Sequence, residues 1–141
     1  MSAKLINKKI PVLEKEEIQI LLHTLGLRKK MKFYEKDKIE DPYRNYFYTS
    51  SDTTDYPHIQ NLIKKGLMVD SGKGWPDQEG TYFYATEKGI ELAKKIAYDL
   101  IEKLTRSQKR YQLYLNMGCE ESFFEWLKDP YYNKYRKRYG V

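Results

Sequence analysis

The side chains with the most recognisable chemistry lie just after Asp55. On a helix running from there, Ile59, Leu62 and Ile63 take one face and leave His58, Gln60, Asn61, Lys64 and Lys65 to solvent. A carboxamide such as Gln60 or Asn61 can read an adenine edge, and lysines neutralise phosphate. That set suits a helix laid in the major groove of a duplex. Lys73 would add a phosphate contact from a later hairpin tip, and Arg106, Lys109 and Arg110 form a further basic group near a helix junction. Acidic residues oppose this reading. Asp52 and Asp55 stand at the front of the same helix, and Asp70, Asp77 and Glu79 give the hairpin tip a negative sign beside Lys73 and Trp75. Two classes of function therefore stand side by side, a DNA-binding protein and one whose partner is another protein.

Catalysis is not expected. The chain has no Gly-rich phosphate loop, no Ser-x-x-Lys and no Gly-x-Ser-x-Gly. With His23 and His58 as its only histidines and Cys119 as its only cysteine, neither a zinc site nor an internal disulfide is expected. Asp52 and Asp55 are explained by helix capping before metal binding. No cofactor is implied.

The elements that must hold these residues follow from periodicity. Residues 1–13 read as a flexible arm. The spacing of Ile18, Leu21, Leu22 and Leu25 predicts a helix from Glu14 to Gly26, with Glu14, Glu16 and Glu17 at its positive end. Leu27 to Asp41 is charged and reads as loop or frayed helix, closed by the break at Asp41-Pro42. Tyr43 to Tyr48 fits a strand at least as well as a helix. A helix from Asp55 to Lys65 follows, and Gly66 stands where a left-handed stop belongs. A hairpin of Leu67–Asp70 and Thr81–Ala85 comes next, and Thr86 caps a long amphipathic helix from Glu87 to Leu104.

Residues 105–141 read as a helical extension, with Ser107 as the expected cap of its first helix and an end near Gly118. Phe123, Phe124, Trp126 and Leu127 are too apolar to stay in water, so they must dock onto the domain or onto a second copy. A homodimer is expected on that ground. Tyr131, Tyr132, Tyr135 and Tyr139 interleave with Lys134, Arg136, Lys137 and Arg138, a pattern that could stack on bases and neutralise phosphates. The favoured reading is a packed stripe of Tyr131, Tyr135 and Tyr139 at helical spacing with a solvated basic face.

Helix, Lys-Lys-Gly-Leu-Met, hairpin and then Thr86-x-x-Gly89 opening a helix resembles the second half of a winged helix-turn-helix domain. The expected fold is thus α+β, a winged core over residues 14–104 with the C-terminal extension. One difficulty is plain: such a core needs a helix before the DNA-reading one, and only Tyr43 to Tyr48 has suitable apolar content for it, a segment that fits a strand at least as well. Two stretches, residues 43–70 with 83–89 and residues 107–128, are also similar to small uncharacterised proteins of bacteriophages and prophages. That resemblance implies an origin and carries no activity with it.

Composition agrees with a folded, nonmembrane chain. Hydrophobic residues make up 40% of 141 and charged residues 33%, a balance that supports a core and argues against disorder. No apolar run is long enough to span a bilayer and the N-terminus lacks a signal-peptide core, so the expected location is cytoplasmic. A net charge of +6 favours anionic partners, nucleic acid first.

Overall fold

The computed structural model describes residues 12–28, 31–72 and 79–141. Helix α1, Lys15–Thr24, opens on Glu14, whose backbone N–H donates to Glu17 Oε1 at 2.8 Å. Ile20, Leu21, Leu22 and Leu25 point into the core. The chain leaves the helix through Gly26 at φ 74°, and Leu27 N–H reaches back to the Leu22 carbonyl at 2.8 Å. A side chain there would be strained by that φ and would also collide with the Tyr43 ring.

The charged stretch after Gly26 is more ordered than its composition implies. A 3-10 turn, Phe33–Glu35, runs into a short helix α2, Lys36–Glu40. Met31, Phe33 and Ile39 are buried. Glu35 is buried with them, and its carboxylate takes both oxygens' worth of hydrogen bonds from Arg28 (2.9 and 2.8 Å) as well as Lys38 Nζ (2.7 Å) and the Lys32 N–H (2.8 Å). The apolar spacing is too irregular to register as a clear helix period, which is why the sequence reads as loop or frayed helix, and the second of these holds over Lys36–Glu40.

Tyr43 to Tyr48 resolves as an approach to strand β1, Phe47–Thr49. Just before it, Asn45 exchanges two bonds with the backbone of Ala85, donating to its carbonyl at 3.1 Å and accepting from its N–H at 2.8 Å. Helix α3, Tyr56–Lys64, carries Pro57 in its first turn, where no donor is lost, and buries Ile59 and Leu62. Strands β2, Met68–Asp70, and β3, Thr81–Ala85, complete an antiparallel sheet in the order β1-β3-β2. Phe47 pairs with Phe83 and Met68 with Ala85, so these residues face the helices. The alternate set, Tyr48, Tyr82, Tyr84 and Val69, faces outward.

Helix α4, Glu87–Glu102, is capped by Thr86, whose hydroxyl accepts from Gly89 N–H at 3.1 Å and donates to the Gly66 carbonyl at 2.8 Å. Helix α5, Arg106–Met117, is capped two residues earlier than expected. Thr105, and not Ser107, closes a reciprocal capping box with Gln108, at 3.1 and 2.7 Å. After Gly118 come α6, Phe123–Lys128, a 3-10 turn Pro130–Tyr132, and α7, Asn133–Arg138.

The extension shares the main core. Leu113, Trp126, Tyr132 and Val141 belong to the same buried cluster as α1 and α4, and Phe33 N–H donates to Gln112 Oε1 at 3.2 Å. Arg136 is only 7% exposed and caps the end of α6, donating to the carbonyls of Trp126 (2.5 Å) and Asp129 (2.8 Å) with its guanidinium over the Trp126 ring. The expected tyrosine stripe does not form. Because the segment begins as a 3-10 turn, Tyr132 is the buried ring, while Tyr131 and Tyr139 stay exposed and Tyr139 meets Phe33 edge-on. Among the described residues no helix is long and apolar enough to cross a membrane.

Gly89 is where α4 presses on the backbone just ahead of β2, since a Cβ there would overlap the Leu67 carbonyl. An alanine in an open helix site would stabilise by up to ~1 kcal/mol. Gly89→Ala is instead expected to destabilise by about 2 kcal/mol, because the obstacle is backbone and cannot rotate away. Urea unfolding checks the sign through the shift in midpoint; a midpoint raised by the substitution would contradict this packing.

Candidate nucleic-acid interface

Helix α3 presents Asn61 and Lys64 to solvent, with His58 and Gln60 half-buried beside them. Asn61 and Lys64 thus share one exposed helix face, with His58 and Gln60 at its two edges. Asp55 occupies the N-cap position but makes no side-chain cap bond, and Asp52 instead accepts from the Ser50 hydroxyl. Capping therefore does not account for either acid, and both remain near the front of the helix as negative charge. Lys73, with Trp75 and Asp77, lies outside the described residues, as do Lys29, Lys30 and most of the N-terminal arm.

Lys65 departs from expectation. It turns away from the solvent face and donates to Glu17 Oε1 at 2.7 Å and to the Val12 carbonyl at 2.9 Å. Glu17 is 1% exposed at its side chain and Lys65 29%, so the pair ties α1 to α3 from inside the fold. Burial pushes the Glu17 carboxyl up, but the Lys65 hydrogen bond, the Glu14 N–H and the charges of Lys65 and His58 outweigh it and hold its pKa below the ordinary value. Glu35 behaves alike: burial raises it, and Lys38, the Lys32 N–H and Arg28 bring it down further. Lys65 serves the fold and is not available to phosphate.

Arg106 is exposed, and Lys109 and Arg110 are half-buried. Arg106 and Arg110 line an open groove of about 550 Å³ together with Arg136 and Lys137 of α7, and no residue of α3 takes part in its walls. The basic group on α5 is thus joined to the C-terminal tail, a grouping that sequence distance concealed. A second groove, of about 600 Å³, lies beside the end of α1 and is lined by His23, Arg28, Lys38 and Arg44 among others. Its cations are largely engaged: Arg28 and Lys38 with Glu35, and Arg44 stacked over Tyr46 at 4.4 Å. Burial, followed by the charge of Arg44, lowers the His23 pKa there.

The apolar cluster on α6 folds back on its own chain. Trp126 is fully buried, and Phe123 and Leu127 are partly covered. Only Phe124 stands out, 64% exposed with Lys128 Nζ 3.9 Å from its ring centre. The outward sheet face of Tyr46, Tyr48, Tyr84 and Val69 is a surface that site-by-site reading missed. Its signal was the alternation Tyr46-Phe47-Tyr48 and Tyr82-Phe83-Tyr84, which places every second ring outside.

Two outcomes follow from the buried carboxylates. Lys65→Ala leaves Glu17 buried without its cation and should cost on the order of 2 kcal/mol, less than a fully buried pair because the lysine reaches the rim. Both acids have folded-state pKa values below their unfolded value of 4.5, so their contribution is complete above that pH and is lost as pH falls through the lowered values. Urea unfolding at pH 7 and below pH 4 should show this loss, and Glu17→Gln with Glu35→Gln should flatten it.

No protein-family model matches this chain, and comparison with curated proteins and with solved structures returns no match either.

Proposed function

We propose that this chain is a winged-helix protein of phage or prophage origin that binds double-stranded DNA, mainly through phosphate contacts, with α3 in the major groove. The observation that carries the reading is the placement of α3 directly before the β2-β3 hairpin, with Asn61 and Lys64 on its exposed face. The sheet order β1-β3-β2 is consistent with a wing returning beside the core. In this reading α2 is the helix before α3, separated from it by β1. The protein acts in the cytoplasm as a regulator. Pairing into a homodimer would bring together the exposed Tyr111, Leu115 and Phe124 of the extension, and light scattering at tens of micromolar should return twice the monomer mass.

A protein partner is the second reading, favoured by two observations. The outward sheet face exposes Tyr46, Tyr48, Tyr84 and Val69, and the loss of Lys65 to Glu17 leaves Asp52 and Asp55 less opposed at the front of α3. That surface would suit a partner with an apolar, aromatic-binding face.

Fluorescence anisotropy with a mixed-sequence duplex at low salt separates the two. Wild-type protein is expected to bind, and Lys64→Ala to weaken binding and reduce the salt slope by about 0.9, one phosphate contact. Lys65 is left intact because its removal tests the fold. Absence of binding by wild-type protein at low salt would reject the DNA reading in favour of the protein partner.

A further inference from the structure

The groove between α5 and α7 gathers positive charge from two helices. Arg106 and Arg110 are one turn apart on α5, and Arg136 and Lys137 approach from α7. Among the described residues no carboxylate forms an ion pair with any of the four. Arg136 spends its donors on carbonyls and on Asn133 Oδ1, none of which removes its charge. Like charges at i and i+4 repel, so the sequence maintains an electrostatic cost here.

A second observation concerns Arg110. Its Nε–H is buried and has no acceptor among the described residues. A buried donor left unpaired is disfavoured, and the simplest acceptor for a guanidinium in a basic groove is an anionic oxygen. The first turn of α5, which begins at Arg106, adds backbone positive potential of the same sign.

We propose that this groove is a phosphate-binding site. Guanidinium forks match phosphoryl oxygens two at a time, and a lysine adds a point charge. At about 550 Å³ the groove has room for more than one such group, so a ligand bearing consecutive phosphates fits it best. Two sources share that chemistry, a nucleic-acid backbone and a free polyphosphate. The site stands apart from the α3 reading, because α3 contributes nothing to its walls and either can hold without the other.

The test uses the full chain and inorganic pyrophosphate as probe, followed by NMR at the arginine Nε–H resonances and by calorimetry. The Arg110 Nε–H signal is expected to shift on titration. Arg106→Glu and Lys137→Glu change exposed residues, so the fold should persist by circular dichroism while each weakens pyrophosphate binding by about tenfold, the loss of one charged hydrogen bond. Lys64→Ala should leave pyrophosphate binding unchanged. If Arg106→Glu and Lys137→Glu also weaken duplex binding, the backbone is the source; if they spare it while pyrophosphate binding falls, the source is a free polyphosphate. An Arg110 signal unmoved by both pyrophosphate and duplex at low salt, or binding indifferent to both charge reversals, would overturn the site.

Discussion

The Leu67 carbonyl is the point on which the arrangement of α3, the hairpin and α4 depends. It accepts from Thr86 N–H at 3.0 Å, while Leu67 N–H itself donates to the Leu62 carbonyl at 2.9 Å. Helix end, first strand and next helix start are thereby fixed to one another through backbone atoms, which cannot adapt as side chains do. Thr86 adds its hydroxyl to the Gly66 carbonyl, and Asn45 clamps Ala85 from the far strand. The orientation of the exposed face of α3 is a consequence of these bonds.

Electrostatics then decides which cations remain for a ligand. Three of the basic side chains nearest the helical core are spent on two buried carboxylates, Lys65 on Glu17 and Arg28 with Lys38 on Glu35. Such pairs add little net stability over apolar contacts, yet they are costly to break and fix the register of the elements they join. Their effect on function is subtractive. Lys64 is left as the exposed lysine on α3, and Arg106, Arg110, Arg136 and Lys137 line a separate groove where α5 meets α7.

Much of this was legible in the sequence, for physical reasons that differ by element. The bounds of α1, α3, the hairpin and α4 follow from apolar spacing and from Gly66 and Thr86, because those signals act within one or two turns of chain. The structure of residues 33–40 was not legible, since it forms around a buried Glu35 whose partners are scattered and whose neighbours look like a solvated run. Asn45 acting as an extra ladder rung left no local trace either. At the candidate site, the exposure of Asn61 and Lys64 could be read from the helix period. The diversion of Lys65 could not, because its partner is 48 residues away, and the tail's share in the groove needed the docking of α7 to appear. The sequence leaves the docking of Trp126 open between its own domain and a second copy, and its full burial in the core beneath Arg136 decides it.

The central claim, that α3 meets a duplex, is tested most directly by amide and side-chain NMR shifts during titration with a mixed-sequence duplex at low salt. The account predicts saturable shifts for His58, Asn61 and Lys64, with Glu17 and Lys65 unmoved behind them. Shifts confined to Tyr46, Tyr48, Tyr84 and Val69 on the sheet, or no shifts at saturating duplex, would contradict it.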